Sequence, residues 1–150
     1  MNDSQGTIGT CPFNPAPLAF QVLGAAGAVE AHLESALAEL GLSLAKFRVL
    51  SRLAEAGEPL PLGGLADHCS CVRSNMTQLV DRLEADKLVE RVNDPIDRRS
   101  VRAALTAAGR ERQGEGVEIL ANAEREVFAR LTESDRADLS RLVQQLTRAS

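Results

Sequence analysis

Residues 73–109 read RSNMTQLVDRLEADKLVERVNDPIDRRSVRAALTAAG, and the parsing of that stretch decides the fold. Between positions 75 and 88 the apolar residues Met76, Leu79, Val80, Leu83 and Leu88 return at near-helical spacing, which predicts an amphipathic helix. Its other faces carry Arg73, Ser74, Asn75, Thr77, Gln78 and Arg82, side chains that can hydrogen-bond the edges of nucleic-acid bases. Residues 88–93 and 100–105 switch to partial period-two alternation, with Val101, Ala103 and Leu105 on one face and a Pro-containing turn, DPIDRR, between the runs. A helix leading into a hairpin with a basic tip is the plan of a winged helix-turn-helix. In that plan the second helix of the motif enters the DNA major groove, and the hairpin reaches the backbone or the neighbouring minor groove.

In order and spacing the stretch resembles the multiple-antibiotic-resistance regulator (MarR) family of bacterial transcription factors. The wing of that family has an Asp-rich and Arg-rich turn followed by Leu-Thr-x-x-Gly; here these are Asp94, Asp97, Arg98 and Arg99, then Leu105, Thr106 and Gly109. An amphipathic helix alone is common, whereas helix, charged turn and Leu-Thr-x-x-Gly at fixed distances are specific. The resemblance implies a homodimer built from the terminal helices and a repressor that occludes a promoter until a small effector releases it. It also implies an effector pocket near the first, second and fifth helices. The chain departs from the family just before the predicted recognition helix, where a small hydroxyl residue is usual and Val72 offers no acceptor to the free amides. Ser70 or Ser74 is left to supply the cap.

At 150 residues the chain is one domain by size, and 44% hydrophobic residues with four Phe and no Trp or Tyr predict a core of Leu, Val and Ala in a mostly α fold. A net charge of −4 excludes a protein that coats nucleic acid by bulk attraction, so positive charge has to be local. Residues 71–102 hold seven basic side chains against six acidic ones, a balance of 7 − 6 = +1, and both flanking segments are net negative. That balance favours specific contacts over strong non-specific binding. With no basic segment leading into an apolar run and no eighteen-residue apolar stretch, the chain is expected to be cytoplasmic and independent of membranes. Three cysteines, an odd number, do not make a secreted disulfide framework.

Taken in order, residues 1–17 are rich in Gly, Pro, Ser, Thr and Asn and read as a flexible arm, and residues 18–150 as a single winged-helix domain. Within it a DNA-binding lobe spans about 43–105, with dimerisation helices at about 18–40 and 106–148. The first helix carries Gly24 and Gly27, which permit close helix approach, and ends at Gly41. Ser43 caps a second helix with Phe47, Leu50 and Leu53 in its stripe, which runs up to Gly57. Pro59 and Pro61 break the chain before a short third helix containing Leu65, Ala66 and Cys69. After the wing, Thr106 caps a long helix whose stripe runs from Val117 to Phe128 and Leu131, with Gly114 and Gly116 as weak points. Thr132 and Asp135 approximate a capping box that opens the last helix, in which Leu139, Leu142, Val143 and Leu146 face inward. The first helix and the last two have nothing large to pack on in one chain, so a second copy would cover them. Two recognition helices would then meet half-sites roughly 34 Å apart in an inverted-repeat operator of double-stranded DNA.

Each sharp reading has a plainer rival. A polar helix face and a charged hairpin tip are ordinarily just solvated, and their co-occurrence in one stretch is what favours DNA. Asp97 reads as structural, orienting an arginine, since a carboxylate facing phosphate would be repelled. Cys69 and Cys71, beside His68, have poor metal-ligand spacing and read as small apolar residues of the turn, so no metal or other cofactor is expected. A thiol-based redox regulator using Cys11, Cys69 or Cys71 is the alternative. His32 and His68 fall on different helices with no nucleophile arrangement or phosphate loop, so an enzyme is not expected. A helical interaction module without DNA is the remaining rival, and it gives no reason for arginines on both helix and wing.

Overall fold

The computed structural model describes residues 17–68, 73–97 and 99–148; Cys11, Cys69, Ser70, Cys71, Val72 and Arg98 lie outside the described residues, as does all of the expected arm but Pro17. Helices α1 (Leu18–Ala38) and α2 (Leu44–Ala56) are followed by strand β1 (Leu60–Pro61) and helices α3 (Leu62–His68) and α4 (Arg73–Ala85). Strands β2 (Val89–Asn93) and β3 (Val101–Leu105) form the wing, and α5 (Ala107–Val127) and α6 (Glu133–Arg148) complete the chain.

The helix starts follow from local side-chain chemistry. Ser43 Oγ accepts the Lys46 N–H at 3.1 Å, and Thr106 Oγ1 accepts the Gly109 N–H at 2.9 Å, each satisfying an amide the helix itself cannot. At α6 the capping box closes both ways: Asp135 Oδ2 accepts the Thr132 N–H at 3.0 Å and Thr132 Oγ1 accepts the Asp135 N–H at 3.2 Å. Gly57 ends α2 with φ 66°, a left-handed conformation that costs a glycine nothing.

Four details depart from the sequence reading. Where two prolines predicted only a break, Leu60 and Pro61 pair with Ala103 and Arg102, so that β3 is central in the order β1-β3-β2. Pro61 has no N–H to give a ladder, and an edge strand is the sheet position that tolerates this. The recognition helix stops at Ala85 rather than reaching Leu88, whose N–H turns back to the Leu83 carbonyl at 2.9 Å after Lys87 takes φ 60°. Helix α5 ends at Val127, leaving Phe128 as its C-cap and Leu131 outside it. It is also not bare in the single chain, because it packs on α1 and α2.

Gly116 makes that packing possible. A Cβ there would lie 2.7 Å from two ring carbons of Phe47, so the glycine lets α5 settle on α2 and is a fitted contact, not a weak point. Gly24 and Gly27 meet nothing within 4 Å. The core joins Leu37 of α1 and Val49, Leu50 and Leu53 of α2 to Met76, Val80 and Leu83 of α4 and Ala103 of β3. By contrast α6 buries no residue, and its Leu142 and Leu146 are exposed, as are Leu18, Phe20 and Leu23 at the start of α1.

Candidate nucleic-acid interface

Met76, Val80 and Leu83 are fully buried and anchor α4 in the core, so spacing alone decides what faces out. Asn75, Gln78 and Arg82, at i, i+3 and i+7, form an exposed row, and Thr77 is exposed beside it. Arg73 and Ser74 belong to the first turn of the same helix.

Arg91 of β2 fastens this helix to the wing. Its guanidinium donates to Asp81 Oδ1 at 2.5 Å and to the Glu84 carboxylate, while its backbone N–H donates to Glu84 Oε1 at 3.2 Å. Burial alone would lower the Arg91 pKa; hydrogen bonds and charge from Asp81 and Glu84 outweigh that and raise it. At the far end of α4, Lys46 Nζ of α2 lies 2.7 Å from Asp86 Oδ2. None of these partners was singled out by sequence reasoning, although Asp81 and Glu84, three apart, share a helix edge and so were legible as a pair.

The hairpin is in register with Val89 opposite Leu105, Arg91 opposite Ala103 and Asn93 opposite Val101. Asp94, 8% exposed, is the only buried charged residue among those described. Its Oδ1 accepts the N–H groups of Ile96 at 2.8 Å and Asp97 at 3.3 Å, and its Oδ2 accepts Arg102 Nε at 2.7 Å. The Ile96 amide first, and the Arg102 guanidinium next, hold the Asp94 carboxyl below the usual carboxylate range. Asp94 thus orients Arg102, a residue that sequence reasoning had only counted for its charge. Asp97 is structural in another way: its Oδ1 accepts the Arg99 N–H at 3.0 Å. Arg99 itself is exposed at the tip.

Among the described residues, cavities border α5 on several sides. One of about 300 Å³ lies against α1 between His32, Glu39 and Glu126, where His32 Nε2 and Glu126 Oε2 are 3.1 Å apart. A second of about 270 Å³ is lined by Val29, Leu33, Leu120 and Phe128. A third, about 550 Å³, opens between α5 and α6 beside Phe128, Leu139 and Val143.

The family model for the MarR family matches residues 42–101, from just before α2 to the first residue of β3. Over those residues the chain is MarR-like. A relative from Mycobacterium tuberculosis, HTH-type transcriptional repressor Rv2887, is 29% identical over 131 residues, 87% of this chain and 94% of that one. The solved structure of that MarR-family protein in complex with DNA superposes with a TM-score of 0.72 at 27% identity, covering 88% of this chain and 98% of that one. A probable transcriptional regulator from Pseudomonas aeruginosa gives a TM-score of 0.78 at 26% identity, covering 87% and 97%. Just beyond the matched residues the geometry accounts for Leu-Thr-x-x-Gly. Thr106 caps α5 and donates its hydroxyl to the Lys87 carbonyl at 2.8 Å, while Gly109 sits where a Cβ would come within 1.9 Å of the Leu88 carbonyl oxygen. The motif is the joint between the wing and α5.

Proposed function

We propose that the chain is a transcriptional repressor that binds an inverted-repeat operator as a homodimer and lets go when a small effector binds. The exposed row Asn75, Gln78 and Arg82, opposite the buried Met76, Val80 and Leu83 and tied through Arg91 to the wing, carries this reading. Arg73, Ser74, Asn75, Thr77, Gln78 and Arg82 read base edges and flanking phosphates in the major groove, and Arg98 and Arg99 of the wing meet the backbone beside it. Asp94 and Asp97 shape the wing and do not touch DNA. The uncovered apolar faces of α1 and α6 support the dimer, because a second copy would bury Phe20, Leu23, Leu142 and Leu146. An effector lodged beside α5 would change the separation of the two recognition helices, since α5 joins the wing directly to the dimer helices.

The test is fluorescence anisotropy of duplexes tiled across the DNA upstream of the chain's own gene, at several salt concentrations. One tile containing an inverted repeat should bind in the nanomolar range as one dimer per site, at least a thousandfold tighter than random duplex. Equal affinity for every tile would overturn the reading.

A further inference from the structure

We infer that Ile96 is a specificity-determining residue of the wing, an aliphatic wedge that enters the DNA minor groove and selects A·T over G·C pairs; this rests on the DNA-binding reading above. Ile96 is 90% exposed, the most exposed of the large apolar side chains described, and it stands at the outermost turn of the hairpin. An isolated exposed apolar residue is ordinary by itself. This one is held in place. The buried Asp94 carboxylate binds the Ile96 N–H directly, Asp94 N–H donates to the Ser100 carbonyl at 3.1 Å, and Ser100 N–H donates to the Asp97 carbonyl at 2.9 Å. Pro95 restricts the residue before it. The tip is therefore braced from within, and its hydrogen bonds fix where Ile96 projects.

Chemistry then selects the occupant. The walls of the minor groove are sugar C–H groups, and its floor at A·T pairs lacks the guanine amino group that would obstruct an inserted aliphatic side chain. Apolar wedges of this kind are an established way of using that groove. Arg99, three residues on and also exposed, supplies the cation that a narrow A·T-rich groove attracts, so the same turn carries an exposed apolar group and an exposed positive charge.

The experiment compares the wild type with Ile96→Ser on an operator selected by the wild type from a random duplex pool. Versions of that operator carry A·T→G·C or A·T→I·C changes at the positions the wing protects from minor-groove cleavage. The I·C pair keeps the minor-groove floor of A·T, and G·C adds the amino group. Wild-type affinity should fall about tenfold on the G·C version and little on the I·C version. Ile96→Ser should bind the parent operator about tenfold more weakly, with an unchanged salt slope, and should no longer discriminate the G·C version. Ile96→Val should retain most of the discrimination. Wild-type indifference to G·C, or an Ile96→Ser variant that discriminates as the wild type does, overturns the wedge while leaving DNA binding intact. A pool from which no duplex is enriched overturns the DNA-binding reading itself.

Discussion

Replacing Gly109 with alanine should destabilise the protein even though it puts a better helix former into a helix. The added Cβ would lie 1.9 Å from the Leu88 carbonyl oxygen and 2.8 Å from Leu105 Cδ1. A carbon and a carbonyl oxygen tolerate approach to about 3.3 Å, so α5 and the start of the wing would have to separate by roughly 1.4 Å. That movement strains the Thr106 N–H bond to the Leu88 carbonyl, 3.2 Å, and the Thr106 hydroxyl bond to the Lys87 carbonyl, 2.8 Å. Overpacking of this kind costs about 1–3 kcal/mol, and two weakened hydrogen bonds add about 2. Helix propensity returns about 1 kcal/mol, leaving a net loss of about 2–4 kcal/mol. Gly114, five residues on in the same helix, meets nothing within 4 Å, so Gly114→Ala keeps only the propensity term and should stabilise by about 0.5–1 kcal/mol. Urea unfolding followed by far-ultraviolet circular dichroism measures both, at one fixed protomer concentration because self-association shifts apparent stability. The same substitution in one helix should give opposite signs. A Gly109→Ala variant within 0.5 kcal/mol of the wild type would refute the claim that close approach, and not chance, puts glycine at this position.

Asn75→Ala and Gln78→Ala should each weaken binding to the selected operator by about 1–3 kcal/mol and leave random-duplex binding nearly unchanged, which anisotropy titrations would check; equal losses on both would count against base readout. Arg98 and Arg99 replaced together by alanine should leave the urea midpoint alone and flatten the slope of log affinity against log salt by up to about 0.9 for each phosphate no longer neutralised. Hydrogen bonds lower the carboxyl pKa of both Asp94 and Asp135, from Ile96 N–H first for Asp94 and from the Thr132 hydroxyl first for Asp135. A folded pKa below the unfolded one contributes stability that is complete above the ordinary carboxylate value of about 4 and lost as pH falls through the folded value. The urea midpoint should therefore decline below about pH 4, and Asp94→Asn should make that decline shallower; an identical acid profile would argue against the wing carboxylate.

What could be read from the sequence depended on how far apart in the chain the deciding partners lie. The cap at Ser43 acts on an amide three residues on, as does the cap at Thr106, and the capping box at Thr132 and Asp135 is equally local. Strand β1 was not legible: two residues, one a proline, become a strand only because β3, about forty positions later, offers its edge. The choice between Asp94 and Asp97 was likewise a matter of register. Val92 pairs with Arg102, and Asp94, two residues beyond Val92 on the same face, comes diagonally within reach of that arginine. Asp97 is already in the turn and accepts the Arg99 amide. The row Asn75, Gln78 and Arg82 was legible because helical period alone sets it once Met76, Val80 and Leu83 are taken as buried.

Charge shows the same division between count and placement. The +1 balance of residues 71–102 gives every side chain equal weight, whereas the fold sorts them. Of the six carboxylates, Asp81 and Glu84 contact Arg91, Asp94 contacts Arg102, and Asp86 contacts Lys46 of α2. Among the described residues, Arg91 and Arg102 are engaged in this way inside the segment, while Arg82, Lys87 and Arg99 stay exposed. A carboxylate already paired with a guanidinium repels a nearby phosphate far less than a free one does, and short-range attraction at moderate salt depends on the charges within about 10 Å. Pairs within the segment are already in the net count, and Lys46, which neutralises Asp86 from outside it, makes the local attraction for a DNA backbone greater than that count implies. The paired arginines contribute to it indirectly, by neutralising the anions that would oppose binding and by fixing the angle between recognition helix and wing.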